Sequence, residues 1–254
     1  MDIFSSIIIG VVEGFTEFLP ISSTGHMIVV SKFLGLKQDD ALKAYEVIIQ
    51  FAAILAVLIE YKSKLTLKES TLWSKVLIAF LPLLIVGYIF KEQIKALFDP
   101  TLVAYMFIVG GVAFLIIEYF YKDDKCRVKS LEQLSYLDAF KIGLFQLLSF
   151  IPGTSRAGST IAGSMLIGVD RKTSAEFSFL LAIPVMGAVS LYDLLKHYSD
   201  LLNGNITAYI VGFIVAFLVA WITIKLFLAF ISRFSFVPFG IYRILFGAFL
   251  LYIY

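Results

Sequence analysis

Charge is what this chain has little of. Asp, Glu, Lys and Arg make up 16% of its 254 residues, where a soluble globular chain carries about 25%. That shortage excludes an ordinary water-facing surface. Cysteine is nearly missing as well, and a lone Cys126 in a charged loop excludes any internal disulfide. Long hydrophilic stretches are absent, which leaves no room for a separate soluble domain. No basic run precedes the first apolar segment, and Asp2 opens it, so a secretory signal peptide is a poor reading of the N-terminus. The formal net charge of +2 excludes nothing.

What remains is apolar. Hydrophobic residues account for 60% of the chain, and they run in blocks near the 17–25 residues that a bilayer asks of a helix. The pattern predicts an all-α polytopic membrane protein, a single integral membrane domain over 1–254. Six segments read as full spans: 41–61, 73–90, 101–121, 174–195, 206–231 and 237–254. Two others, 3–34 and 136–169, are long enough to span but are broken in the middle by "LPISSTGH" and "IPGTSRAGST". Proline removes a backbone donor, and the serines, threonines and glycines beside it favour turns and helix caps. Non-helical backbone at membrane depth persists only against protein or a water-filled cavity. Each broken segment therefore reads as a re-entrant helix pair.

The two breaks resemble each other. Phe18-Leu19-Pro20-Ile21-Ser22-Ser23-Thr24 matches Phe150-Ile151-Pro152-Gly153-Thr154-Ser155-Arg156 position for position. The chain then divides into halves, 1–121 and 136–254, each a re-entrant pair plus three spans. Three is odd, so the second half enters from the opposite side, which makes an inverted-topology repeat. The loops near 61–72, 122–135, 170–173 and 232–236 carry ten Lys and Arg residues, and the opposite loops carry five. That asymmetry predicts the richer side to be cytoplasmic and both termini to lie outside.

The polar residues concentrate at the breaks. Glu13 and Glu17 are four apart, so they share a helix face. Two such carboxylates repel, and a shared proton or a cation is the usual remedy. Mg²⁺ or Ca²⁺ suits hard oxygen ligands, and Mg²⁺ takes one or two carboxylates plus phosphate oxygens. Alternatively, the pair lines a polar cavity and binds nothing. Ser22, Ser23, Thr24 and Gly25 precede a helix, as do Thr154 and Ser155 before Arg156. They read either as plain caps or as an anion site made by helix N-termini, with the forked Arg156 suited to phosphate. His26 stands one turn after Ser23, within reach for proton exchange, although a lone histidine is often structural. Lys141, Lys225 and Arg243 read as structural cations that snorkel to an interface. Gly10, Gly14, Gly110 and Gly111 read as close helix packing.

"EGFTEFLPISSTGH" and "PGTSRAGST", together with "YEVIIQ", "SAEFSFLLAIP" and "FVPFGIYR", resemble the bacterial undecaprenyl-diphosphate phosphatases of the bacitracin-resistance type. The likeness implies removal of the terminal phosphate from a long-chain isoprenyl diphosphate lipid in the bacterial plasma membrane, recycling the carrier for cell-wall synthesis. By resemblance, Glu13 and Glu17 match the family's acidic motif, and Ser23, His26 and Arg156 match its active-site serine, histidine and arginine. Ala157 stands where the family usually has serine. The expected nucleophile is Ser23, with His26 as its proton partner, or else a metal-activated water. The site is expected to open outward. A homodimer is left open, no nucleic-acid partner is expected, and the rival reading is a flippase for a polyprenyl phosphate lipid.

Overall fold

A computed structural model describes residues 1–36, 40–196 and 205–254. Lys37 and most of the 196–205 loop, both used in the charge comparison, lie outside the described residues. The helices are α1 (Ile3–Thr16), α2 (Ser23–Phe33), α3 (Asp40–Glu60), α4 (Ser70–Ile89), α5 (Lys91–Lys95), α6 (Pro100–Phe120), α7 (Tyr136–Gln146), α8 (Arg156–Leu166), α9 (Arg171–Lys196), α10 (Ile206–Ile231) and α11 (Val237–Ile253). Among the described residues there is no β-strand, only an isolated bridge between Val128 and Val169.

Among the described residues five helices are long and apolar enough to cross a membrane: α3, α4, α6, α9 and α10. Six full spans were expected. The last, α11, begins at Val237 as expected but has 17 residues and is shorter than the other five. The chain is a multi-pass membrane protein. Large apolar side chains such as Leu77, Ile85, Ile116, Ile214, Leu226 and Leu245 stand exposed along its outer helices, a belt that lipid rather than water would cover. Helices α3 and α9 are innermost, with 56% and 61% of their apolar windows buried, against 33% or less for α4, α6 and α10.

The broken segments fold as pairs of short helices. α1 has 14 residues and α2, α7 and α8 have 11 each. At 1.5 Å per residue these reach only about 16–21 Å, short of a hydrocarbon core about 30 Å thick. Pro20 stops the first pair from continuing as one helix, since the residue before a proline is pushed out of the α region. The second pair breaks after Gln146 through a 3₁₀ turn, Leu147–Phe150. Both returning helices begin at a serine with positive φ, Ser22 at 66° and Ser155 at 75°. Ser22 thus corresponds to Ser155, and Ser23 to Arg156. The position-for-position sequence match is off by one at the caps, because Pro152 stands three residues before its cap serine where Pro20 stands two, and Gly153, with a φ of 90°, takes the place that Pro20 holds in the first turn.

Glycines let the helices close. Gly10 faces the carbonyl of Gly212 and Gly14 that of Ala216, joining α1 to α10. Gly143 faces the Ala79 carbonyl, joining α7 to α4, and Gly111 faces that of Gly240, joining α6 to α11. A Cβ at any of the four would lie 2.7 Å or less from that oxygen.

The loops read as the basic side meet on one face. Lys64 pairs with Glu132 at 3.0 Å, Arg127 with Asp138, and Arg171 with both Glu118 (2.5 Å) and Asp123 (3.2 Å). Glu118 also accepts the Phe236 amide at 2.8 Å. On the other face Asn205 donates to the Met1 carbonyl, and Lys32 donates to that of Ile253.

Candidate active site

The two helix pairs bring their turns to one cavity of about 390 Å³. Glu17, Ser22, Ser23 and Thr24 line it from the first pair, and Ser155 and Arg156 from the second. Residues more than 130 positions apart therefore share one space, as the halves predict.

Its centre is a chain of three side chains. The Ser23 hydroxyl donates to Glu17 Oε2 at 2.6 Å, and Arg156 Nη2 donates to Glu17 Oε1 at 3.0 Å. Arg156 is fixed further by Nη1 donating to the Ser178 carbonyl at 3.0 Å, with its guanidinium 5.9 Å from the Phe18 ring centre. Its side chain is 11% exposed and that of Glu17 is 10%. A pair so shielded from water is strong only where the remaining donors and acceptors are met. Here they are not all met, since Arg156 Nε is buried without a partner. Thr154 Oγ1 and Glu13 Oε1 are orphaned in the same way. Of the three residues only Arg156 lines the cavity, and a polar ligand there would suit its unpaired nitrogen.

The helix starts supply more donors. Ser155 caps α8 with its own hydroxyl, which accepts the Gly158 amide at 3.0 Å. Ser22 makes no such side-chain cap, so the first-turn amides of α2 beside Ser23 and Thr24 are not taken by it. A helix start of this kind favours an anion.

The other expected residues lie nearby in different settings. Glu13 is buried, one turn before Glu17, and does not line the cavity. Gly25 packs on Phe107, where a Cβ would lie 2.3 Å from the ring. His26 faces away: Nδ1 meets the Ser22 carbonyl at 2.7 Å, Nε2 meets the Tyr242 hydroxyl at 2.5 Å, and the ring stacks on Phe246 at 4.4 Å. It lines a separate, apolar cavity with Tyr242 and Phe15. Ser23's hydroxyl is thus engaged by Glu17, whereas both ring nitrogens of His26 are engaged elsewhere.

Arg243 does not snorkel. It is fully buried, and its guanidinium donates to the carbonyls of Pro20, Met106, Phe107 and Gly153. Lys225, by contrast, does sit near the surface, 3.6 Å from Glu60 and over the Trp221 ring. Sequence reasoning also passed over Gln50, which lines the cavity from α3, and Tyr242. Both stand in stretches that carried the family likeness, "YEVIIQ" and "FVPFGIYR". A lone amide or phenol in an apolar span was the available signal.

Described as a class, this is a multi-pass α-helical membrane protein in which one cavity sets a serine, a carboxylate and an arginine beside helix N-termini. Residues 6–249 match the family model described as bacitracin resistance protein BacA, and the chain belongs to that family. It is 65% identical over 253 residues to an undecaprenyl-diphosphatase of Sulfurovum sp., covering 100% of both chains. It is 58% identical to one from Sulfurimonas denitrificans, over 99% of this chain and 98% of that one. With one from Persephonella marina the identity is 52%, with full coverage of both.

Proposed function

We propose that this protein hydrolyses undecaprenyl diphosphate to undecaprenyl phosphate and inorganic phosphate, returning a lipid carrier to cell-wall synthesis and so lowering bacitracin sensitivity. The observation that carries the reading is the Ser23–Glu17–Arg156 chain inside a cavity that runs into an apolar groove. That groove, about 390 Å³ between α4 and α9, shares Leu83, Ile94, Phe150, Val185 and Val189 with the polar cavity. A charged head and a long hydrocarbon tail need such a junction.

Ser23 Oγ attacks the terminal phosphorus while its proton passes to Glu17 Oε2. The P–O bond to the lipid phosphate breaks, leaving a phosphoseryl group and the lipid monophosphate. Water then attacks the phosphoseryl phosphorus, the P–Oγ bond breaks, Ser23 Oγ takes back the proton from Glu17, and phosphate leaves carrying the water's oxygen and protons. Arg156 and the α2 amides face the phosphoryl oxygens, where stabilising charge accounts for most catalysis of this kind. Glu17 takes the base role expected of His26 because it already holds the hydroxyl. Direct attack by water, with Ser23 only binding phosphate, is the alternative.

The donor set also fits Mg²⁺ or Ca²⁺. Glu13 keeps a buried carboxylate oxygen without a partner one turn from Glu17, and a hard cation beside a diphosphate would relieve it. Glu13 and Glu17 would hold the ion, which would supply charge neutralisation at the phosphate oxygens.

The two short-helix pairs are read as re-entrant, and the halves as an inverted repeat. Exchanging the halves maps the packing of α1 on α10 onto that of α7 on α4, and maps the α3–α9 and α6–α11 contacts onto themselves. Gly10, Glu13, Ser22 and Gly25 map at one constant offset onto Gly143, Gln146, Ser155 and Gly158. With the basic loops cytoplasmic, the cavity opens outward.

Phosphate release from undecaprenyl diphosphate by the purified protein, with and without chelator, tests the reading. Release that stops on chelation and returns with Mg²⁺ or Ca²⁺ supports both the activity and the metal. No release under either condition would leave the flippase reading instead.

A further inference from the structure

Among the described residues Arg243 is the largest fully buried side chain, and no carboxylate bonds to it. Its charge is met by carbonyl dipoles and by the Phe107 ring, whose centre lies 5.3 Å from the guanidinium. Nη1 donates to Pro20 O and Nη2 to Gly153 O, each at 2.9 Å, while Nη2 and Nε also reach Met106 O (2.9 Å) and Phe107 O (3.3 Å) on α6. The two α6 oxygens are reachable because Gly110 has no side chain. A Cβ there would lie 2.2 Å from Arg243 Nη2.

Pro20 and Gly153 belong to different halves, and each stands two residues before a strained helix start, Ser22 or Ser155. Such backbone persists only where its surroundings over-determine it. A guanidinium offers donors in a fixed planar fork, so one side chain can fix several carbonyls at once, and a lysine ammonium cannot.

We infer that Arg243 is a positioning residue of the site, a clamp whose guanidinium ties the Pro20 and Gly153 turns together and so sets Ser23 against Arg156. This rests on the phosphatase reading for its kinetic consequence, though not for the clamp itself. Arg243 touches no residue of the Ser23–Glu17–Arg156 chain directly; it acts through the two turns.

The test uses the full-length protein in detergent with undecaprenyl diphosphate. Arg243→Lys keeps the charge and removes the fork, whereas Gly110→Ala leaves Arg243 in place and pushes on it from α6. Both should lower kcat by about 100-fold or more with KM changed less than about threefold, the pattern of a misaligned site. Spin labels on cysteines replacing Thr24 and Ser149, across the cavity in a Cys126→Ser background, should give a narrow distance distribution in the parent and a broadened one in both variants. Unchanged helix content and melting behaviour would separate this from unfolding. Folded variants with kcat within about threefold of the parent, or with an unchanged distance distribution, would overturn the clamp. A rise in KM alone would overturn it too, because Arg243 would then be a direct phosphate ligand. If the parent releases no phosphate, the phosphatase reading fails and the distance measurement still decides the clamp.

Discussion

Glu17 sits between the two groups that matter most, accepting from Ser23 on one oxygen and from Arg156 on the other. Glu17→Gln keeps the size but offers an amide where a base is needed, so kcat should fall by about 10²–10⁴, the usual worth of a positioned base. Steady-state kinetics on the purified variant would check this, and an unchanged rate would return the proton to water or His26. Arg156→Lys should raise KM as well as lower kcat, since the amine cannot hold Glu17, Ser178 and a phosphate oxygen together. At this scale the sequence was legible where polar residues interrupt apolar runs: Glu13, Glu17, Ser23 and Arg156 announce themselves by their cost in a membrane. Arg243 was not legible. Its position near the end of the chain suggests an interface, and only the folded backbone reveals four carbonyls turned toward it.

Among the elements, the short helix pairs were visible from Pro20 and Pro152, because proline and its polar neighbours forbid an unbroken span. The register of their caps was not, since the proline is displaced by one position between turns of equal length, and a match made on the prolines carries that displacement to the caps. The strained start at Ser22 makes a prediction. Glycine pays no steric penalty at positive φ and a β-branched residue pays the most. Ser22→Gly should therefore melt no lower than the parent, and Ser22→Val should lose about 1–3 kcal/mol. Thermal unfolding in detergent distinguishes them; equal losses would mean the turn is not strained. Gly143→Ala should cost about 1–3 kcal/mol as well, because its Cβ would meet the Ala79 carbonyl and force α7 from α4.

For the whole molecule, the four basic loops share one face through the Lys64, Arg127 and Arg171 ion pairs and the Phe236 amide on Glu118, and the cavity reaches Ile94 and Phe98 of a loop on the other. If charge sets orientation, Cys126 faces the cytoplasm. An impermeant thiol reagent should then label it in inside-out vesicles and not in intact cells; labelling from outside would invert the topology and with it the direction of lipid access. All of this arrangement serves one claim, that Ser23 is the nucleophile of a lipid diphosphatase. The most direct measurement is phosphate release from undecaprenyl diphosphate by purified Ser23→Ala beside the parent protein, with lipid binding followed in parallel. The account predicts loss of turnover by about 10³-fold or more with the lipid still bound. A Ser23→Ala protein that turns over within about tenfold of the parent would contradict it and make water the nucleophile.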